Sequence, residues 1–420
     1  MVEAHGYGLS GLLKGLRLLG GRFKGKGAFG GMSPFPVAGS PETTPPPVQA
    51  QMRFDCGQGP ALGIRSGAIE EQVKEPQEVT VKEAELWSVA VSPHVKSHES
   101  VEKIMWTVVA CLMPSLILSI FVFGFQTLII TAVSVGSCLA AEAISQKCLR
   151  RPVSIKDGSA VITGVLLAYV IPPGVPYWMP ILGGVIAIFV TKQLMGGIGY
   201  NIFNPALIGR AFLVATYPVA MTSAWLPPLR DASIFKYMAP GVDAVSTATP
   251  LYVLKHYGLD TLIEKFGSLS TMYGNFFIGL RPGCIGETSV LLLLLGGLYL
   301  IYKGYITWHI PVSVFGSVAF FTWVFGGEGY FTGNPLLAIL SGGVPLGAIY
   351  MATDYVTSPN QKTGQILFGI GVGALTVLIR LKGGYPEGVA YAILLMNSLT
   401  PALDGWFRPK RFAPAKGAVK

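Results

Sequence analysis

The sequence predicts an all-α polytopic membrane protein with about ten transmembrane helices. Three observations carry that reading. Hydrophobic residues make up 51% of the chain and charged residues only 13%, whereas a soluble chain is nearer a quarter charged. Apolar runs approaching the roughly 20 residues of a helical span recur along the chain. Glycine is abundant at 53 residues, as in membrane helices that pack backbone to backbone.

The runs lie near 104–123, 125–146, 159–173, 177–195 and 204–221. After a polar break they resume near 287–302, 306–325, 334–352, 364–381 and 386–402. The predicted organisation is an N-terminal extension (1–100), a first membrane repeat (101–221), a polar loop (222–286), a second repeat (287–402) and a basic tail (403–420). The extension is rich in Gly and Pro and contains Pro41-Glu42-Thr43-Thr44-Pro45-Pro46-Pro47, a composition that builds no packed core. The third run ends at Ile171-Pro172-Pro173-Gly174. Proline there frees backbone groups that must be met inside protein or beside a cavity.

The net charge of +9 implies no nucleic-acid partner. In a membrane protein Lys and Arg gather in cytoplasmic loops. Lys147, Arg150, Arg151 and Lys156 follow the second run, and Lys192 and Arg210 flank the next loop on that side. Lys303, Lys362 and Arg408-Pro409-Lys410-Arg411 fall there too. Both termini are therefore expected in the cytoplasm and the polar break outside. Arg230, Lys236, Lys255, Lys265 and Arg281 in the break, with Arg380 and Lys382, vote the other way. The five cysteines form no C-x-x-C pair, so no metal or iron–sulfur site is expected of this chain alone.

The two halves share a pattern. Gly196-Gly197 leads to Asn204-Pro205-Ala206-Leu207, and Gly383-Gly384 leads to Asn397 and Pro401-Ala402-Leu403. An odd number of spans per half places the halves in opposite orientations, the inverted-repeat plan with sites at the repeat interface.

Polar residues inside apolar sequence are the site candidates. Asn201 and Asn204 are three apart and read as one face of a helix. Amides in lipid are costly unless paired, so these face protein, water or a ligand; an interhelical hydrogen bond is the plainer alternative. Asp354 ends an apolar run and precedes Thr357-Ser358-Pro359, where a carboxylate accepts from a ring N–H, binds a cation or simply meets water. Glu142, late in the second run, reads as a snorkelling residue or a partner of Lys147.

In the polar break stands Asp243-Ala244-Val245-Ser246-Thr247-Ala248-Thr249-Pro250-Leu251. By composition it is a Ser/Thr turn on a surface loop with accessible hydroxyls. It also resembles the flavinylation motif, in which a flavin transferase joins FMN to the last Thr through a phosphoester. Asp243, Ser246 and Ala248 are in register, Thr249 is the acceptor, and Thr247 is a competing hydroxyl.

Together with Asn201-Ile202-Phe203-Asn204-Pro205-Ala206, Ala352-Thr353-Asp354-Tyr355-Val356-Thr357-Ser358-Pro359 and Leu166-Leu167-Ala168-Tyr169-Val170-Ile171-Pro172-Pro173-Gly174, this motif makes the chain resemble a known family over roughly residues 88–410. That family is the D subunits of the Rnf complex, the ion-translocating ferredoxin:NAD oxidoreductase. The B subunits of the sodium-translocating NADH:quinone reductase are the sister family. The resemblance implies two inverted five-helix repeats like those of urea and ammonium channels, joined by an extracytoplasmic loop bearing covalent FMN on Thr249. It implies a noncovalent riboflavin near Asn201, Asn204 and Asp354. It also implies a multi-pass protein of the bacterial cytoplasmic (inner) membrane, partnered by other Rnf subunits and served by a flavin transferase. Such a protein carries electrons without catalysing alone. The chain has no nucleotide-binding glycine motif, so NADH and ferredoxin chemistry is expected on partners. The competing readings are a component of the quinone-reducing sister enzyme, a solute channel of the same fold without covalent flavin, and an outward-facing carrier for extracellular electron transfer.

Overall fold

The apolar runs fold as helices, and proline or glycine stands where they break. The computed structural model describes residues 99–229, 248–327, 329–384 and 387–408. Among these there is no strand. Asp243, Ser246 and Thr247, the N-terminal extension and most of the basic tail lie outside the described residues.

Helices α1 (Val101–Phe123) and α2 (Gln126–Cys148) are long and continuous. Ser100 starts α1 by accepting from the Lys103 amide at 3.2 Å, the usual role of Ser at an N-cap. Just before it, Glu99 accepts from Lys103 Nζ and from the Tyr305 hydroxyl, and these bonds hold its carboxyl below the ordinary carboxylate range. Helix α3 (Ser159–Tyr169) stops short of Ile171-Pro172-Pro173. Helix α4 (Trp178–Val185) continues as a π-helical stretch over Ile186–Gln193. Helix α5 (Pro205–Thr216) starts on a proline, which needs no amide partner there. It ends where Pro218 opens the short α6 (Pro218–Ser223).

The polar break is not a bare loop. It holds α7 (Pro250–Phe266) and α8 (Leu269–Ile278), with Gly258 interrupting α7 at φ 85. Val253, Leu262, Met272 and Phe276 of this pair form a small core with Val290, Leu337 and Leu340. Then come α9 (Val290–Tyr302) and α10 (His309–Phe325). The run near 334–352 breaks into α11 (Pro335–Leu340) and α12 (Val344–Leu346), the latter running on as a π-helical stretch over Gly347–Met351. Helices α13 (Lys362–Lys382) and α14 (Val389–Trp406) are the last helices among the described residues.

Among the described residues α1, α2 and α13 are long and apolar enough to cross a membrane. The shorter apolar helices include α3, the α4 stretch, α5, α9 and α10. Small residues bring neighbours close. A Cβ on Gly164 of α3 would sit 2.6 Å from the Val135 Cα of α2, and Ser134 donates to the Gly164 carbonyl at 2.7 Å. On the other side Ser317 of α10 donates to the Gly369 carbonyl of α13 at 3.2 Å. Such contacts supply packing where lipid offers no hydrophobic drive between helices. One large apolar core runs through α1, α3, α5, α9, α10, α13 and α14.

Candidate functional site

Two cavities flank helix α5. The larger, of about 540 Å³, is lined by Arg210 and Val214 of α5, Trp225, Thr249, Tyr252, Glu387 and Tyr391, among others. The smaller, of about 120 Å³, is lined by Lys192, Asn201, Asn204, Tyr305, Tyr350 and Asp354, among others. Pro205 borders the smaller and Val214 the larger, a rise of about 14 Å along the helix axis.

Thr249 is the N-cap of α7, and its hydroxyl oxygen accepts from the Tyr252 amide at 3.3 Å. The residue is 5% exposed. The accessible surface hydroxyl expected from composition is therefore corrected: the turn opens a helix whose Leu251 and Val253 are buried, and Thr249 lines the cavity rather than the outer surface.

The cavity's charged wall is the ion pair of Arg210 with Glu387, each side chain 13% exposed. Behind it the charge continues. Arg281 donates to the carbonyls of Leu340, Gly342 and Glu287. Arg380 donates to those of Ala338 at 2.7 Å and Ser341 at 3.0 Å. All but the Glu287 carbonyl are freed where α11 ends, so there the two guanidinium groups replace the missing helical partners. Cys284, Glu287 and Glu387 bring possible ligand atoms within 4.8 Å of one another. Arg210, Arg281 and Arg380 stand in the same cluster, so three guanidinium groups face two carboxylates. A metal cation is opposed there by the excess positive charge.

The smaller cavity unites three residues singled out from sequence, Asn201, Asn204 and Asp354. The two amides do not share a helix face, contrary to the expectation from their spacing. Pro205 starts the helix after them, so Asn204 is the N-cap of α5 and Asn201 lies in the preceding turn. Asn204 accepts from the Ala206 amide at 3.1 Å and donates to the Met351 carbonyl at 3.3 Å. Asn201 donates to the Phe203 carbonyl at 3.3 Å. Asp354 accepts from the Thr357 hydroxyl at 3.2 Å. With its amide turned to satisfy its neighbours, Asn397 accepts from the Asn204 backbone amide at 3.3 Å and donates to the Thr357 carbonyl at 3.3 Å.

Lys192 reaches this cavity from the π-helical stretch. It pairs with Glu142 at 2.5 Å and donates to Ser159 Oγ, while Gln193 donates to the same Glu142 oxygen at 3.0 Å. Glu142 is thus neither snorkelling nor paired with Lys147, because Lys192, read from sequence as flanking a loop, is buried beside it at 3% exposure. Arg210, Arg281, Arg380 and Lys192 were legible only as basic residues in or beside loops, and Glu387 was not singled out. The overlooked signal was a charge inside an apolar helix, as at Arg210.

Over the described residues the fold and sites define a helical protein of membrane character with two polar-lined cavities, one beside the Arg210–Glu387 pair and one beside Lys192 and Glu142. The chain belongs to the NQR2, RnfD, RnfE family, whose sequence profile matches residues 88–413. The D subunit of the proton-translocating ferredoxin:NAD(+) oxidoreductase complex of Clostridium ljungdahlii is 49% identical over 328 residues, covering 78% of this chain and 96% of the relative. The corresponding D subunit of the Na(+)-translocating complex of Acetobacterium woodii is 42% identical over 332 residues, covering 78% and 96%. The D subunit of the ion-translocating oxidoreductase complex of Escherichia fergusonii is 37% identical over 361 residues, covering 79% and 100%.

Proposed function

We propose that this chain is the membrane electron-carrier subunit of an ion-translocating ferredoxin:NAD oxidoreductase and holds FMN covalently on Thr249. The observation that carries this is the placement of Thr249 in the wall of a cavity of about 540 Å³. That cavity offers what a flavin needs: aromatic walls from Trp225, Tyr252 and Tyr391, and a guanidinium from Arg210. FMN, when bound, supplies one- and two-electron transfer. The chain's own residues bind and orient it. Thr249 provides the ester oxygen, α7 fixes that oxygen at its first turn, and the aromatic side chains enclose the ring. Asp243, Ser246 and Thr247 form the segment that a flavin transferase reads.

A second flavin, riboflavin held without a bond, is assigned to the cavity of Asn201, Asn204 and Asp354. Amide donors, a carboxylate acceptor and the rings of Tyr305 and Tyr350 suit its polar edge and flat face. Helix α5 then joins the two cavities, so electrons cross the membrane between an outer and an inner carrier.

The membrane plan is two inverted five-helix repeats giving ten spans, several of them broken. Matching hydrogen bonds support it. Tyr169 at the end of α3 donates to Leu112 of α1 at 2.7 Å, and Tyr350 at the end of the α12 stretch donates to Leu293 of α9 at 3.2 Å. Residues of the corresponding motifs, Asn204 and Asn397, meet at the interface. The orientation, with both termini in the cytoplasm of a bacterial inner membrane, rests on Lys147, Arg150, Arg151, Lys156, Lys303 and Lys362, all exposed. Arg281 and Arg380, which voted against it, are occupied in the interior by backbone carbonyls.

Affinity purification of the chain from its native membranes tests the reading. The wild-type complex should pass electrons from reduced ferredoxin to NAD. Thr249→Ala should co-purify with the same partners and lose that activity. Unchanged activity in Thr249→Ala sinks the flavin assignment.

A further inference from the structure

Arg210 is a guanidinium in the middle of an otherwise apolar helix, α5. A charge in such a place is expensive and persists only when paired. Glu387, from the segment before α14, supplies the partner. An apolar pair of similar volume would hold the two segments together as well or better, so packing alone does not account for the charges. Their position does. Of the three buried guanidinium groups, Arg281 and Arg380 are occupied by carbonyls at the end of α11. Arg210 is the one lining the cavity that Thr249 faces, and Glu387 lines it too.

We propose that Arg210 and Glu387 act as an opposed pair that sets the electron affinity of the group bound in this cavity, Arg210 raising it and Glu387 restraining it. The inference rests on the reading that the group is FMN on Thr249. Reduction of a flavin takes up two electrons and one proton and leaves one added negative charge on the ring. Reduced ferredoxin supplies the electrons in the complex. In the test dithionite supplies them and is oxidised to sulfite, and solvent supplies the proton. A nearby guanidinium stabilises the added charge and a nearby carboxylate opposes it, both more strongly beside the low-dielectric protein wall than in bulk water. Glu387 thus has two roles: it makes Arg210 tolerable in the interior and limits how far Arg210 biases the flavin. Arg210 and Glu387 are positioning residues, since they act on the ring through charge.

The experiment is a redox titration of the full-length chain, produced with an active flavin transferase and purified in detergent. The reduced-to-oxidised ratio of covalent flavin is read by absorbance at fixed potential, with covalent loading read by fluorescence of the denatured band. Arg210→Met should lower that ratio by about tenfold or more, and Glu387→Gln should raise it by about as much. Arg210→Lys keeps the charge and should stay near wild type. A purely structural role moves neither potential in a sign-dependent way. Flavin loaded normally, with both variants unmoved or moved in the same direction, overturns the proposal. If Arg210→Met does not accumulate, Glu387→Gln decides: a raised ratio supports it and an unchanged ratio overturns it. Absence of covalent flavin from the wild-type chain removes the Thr249 reading and this proposal with it, whereas loaded flavin with an unmoved potential removes this proposal alone.

Discussion

Asn204 donates its side-chain nitrogen to the backbone carbonyl of Met351 at 3.3 Å. The bond ties the start of α5 to the π-helical stretch that ends at Met351, and its oxygen meanwhile caps α5. One amide thus satisfies groups freed by two irregular helix ends, which is why an Asn, with both donor and acceptor, stands there.

The two amides should separate in their effects. Asn204→Ala loses both the cap and the bond to Met351 and should cost about 1–2 kcal/mol. Asn204→Asp keeps the cap and loses only the donor. Asn201→Leu breaks a bond only to Phe203, two residues away, and should cost the fold under about 1 kcal/mol. If Asn201 faces riboflavin, that variant nevertheless loses extractable flavin while covalent flavin stays. Thermal unfolding in detergent, alongside extractable and covalent flavin, distinguishes these effects. Normal extractable flavin in Asn201→Leu, or none in the wild type, returns the amides to a structural role.

Glu142 and Lys192 should be strongly coupled. Removing either partner of a buried pair leaves the other charge unmatched and costs about 3–5 kcal/mol. Glu142→Leu with Lys192→Met should cost much less than the two single changes added together. A double-mutant cycle on thermal stability reads the coupling. Additive costs would show that the pair at 2.5 Å makes no energetic contact.

The segment of α7 and α8 should be reachable only from outside the cell. Lys265 is exposed near the end of α7, and the exposed Cys148 is the last residue of α2, on the side assigned to the cytoplasm. With Cys148 replaced by Ser, Lys265→Cys should react with a membrane-impermeant thiol reagent in intact cells. With Lys265 kept, Cys148 should react only after permeabilisation. The reverse pattern inverts the orientation, and the electron path with it.

The sequence made the membrane character legible, because apolar composition and the length of α1, α2 and α13 depend on local residues alone. The breaks were partly legible: Pro172-Pro173 stands where α3 stops, whereas the run read near 204–221 passes through Pro218, where α5 gives way to α6. The break between α11 and α12 was not, since Ser341-Gly342-Gly343 reads as tolerated small residues until Arg281 and Arg380 are seen on the freed carbonyls. Gathering Asn201, Asn204 and Asp354 at one cavity was foreseeable from the family motifs. The partners Lys192 and Glu387 were not, because Glu142 and Lys192 are 50 positions apart and Arg210 and Glu387 are 177 apart. Charge counting treats a buried cation and a loop cation alike. Arg210, Arg281 and Arg380 therefore entered the orientation argument although they are engaged in the interior, Arg210 by Glu387 and the other two by backbone carbonyls.

Mass spectrometry of the tryptic peptide from Tyr237 to Lys255 reads the flavin bond at Thr249 itself. The peptide from wild-type chain should carry FMN on Thr249. It should be unmodified in Thr249→Ala, which also loses the cap of α7 at a cost of about 1 kcal/mol. Thr249→Ser keeps both hydroxyl and cap and should retain some flavin, and Thr247→Ala should retain it fully. Asp243→Ala should load poorly with the acceptor intact. FMN on Thr247 or Ser246, or an unmodified wild-type peptide from cells with an active transferase, contradicts the assignment.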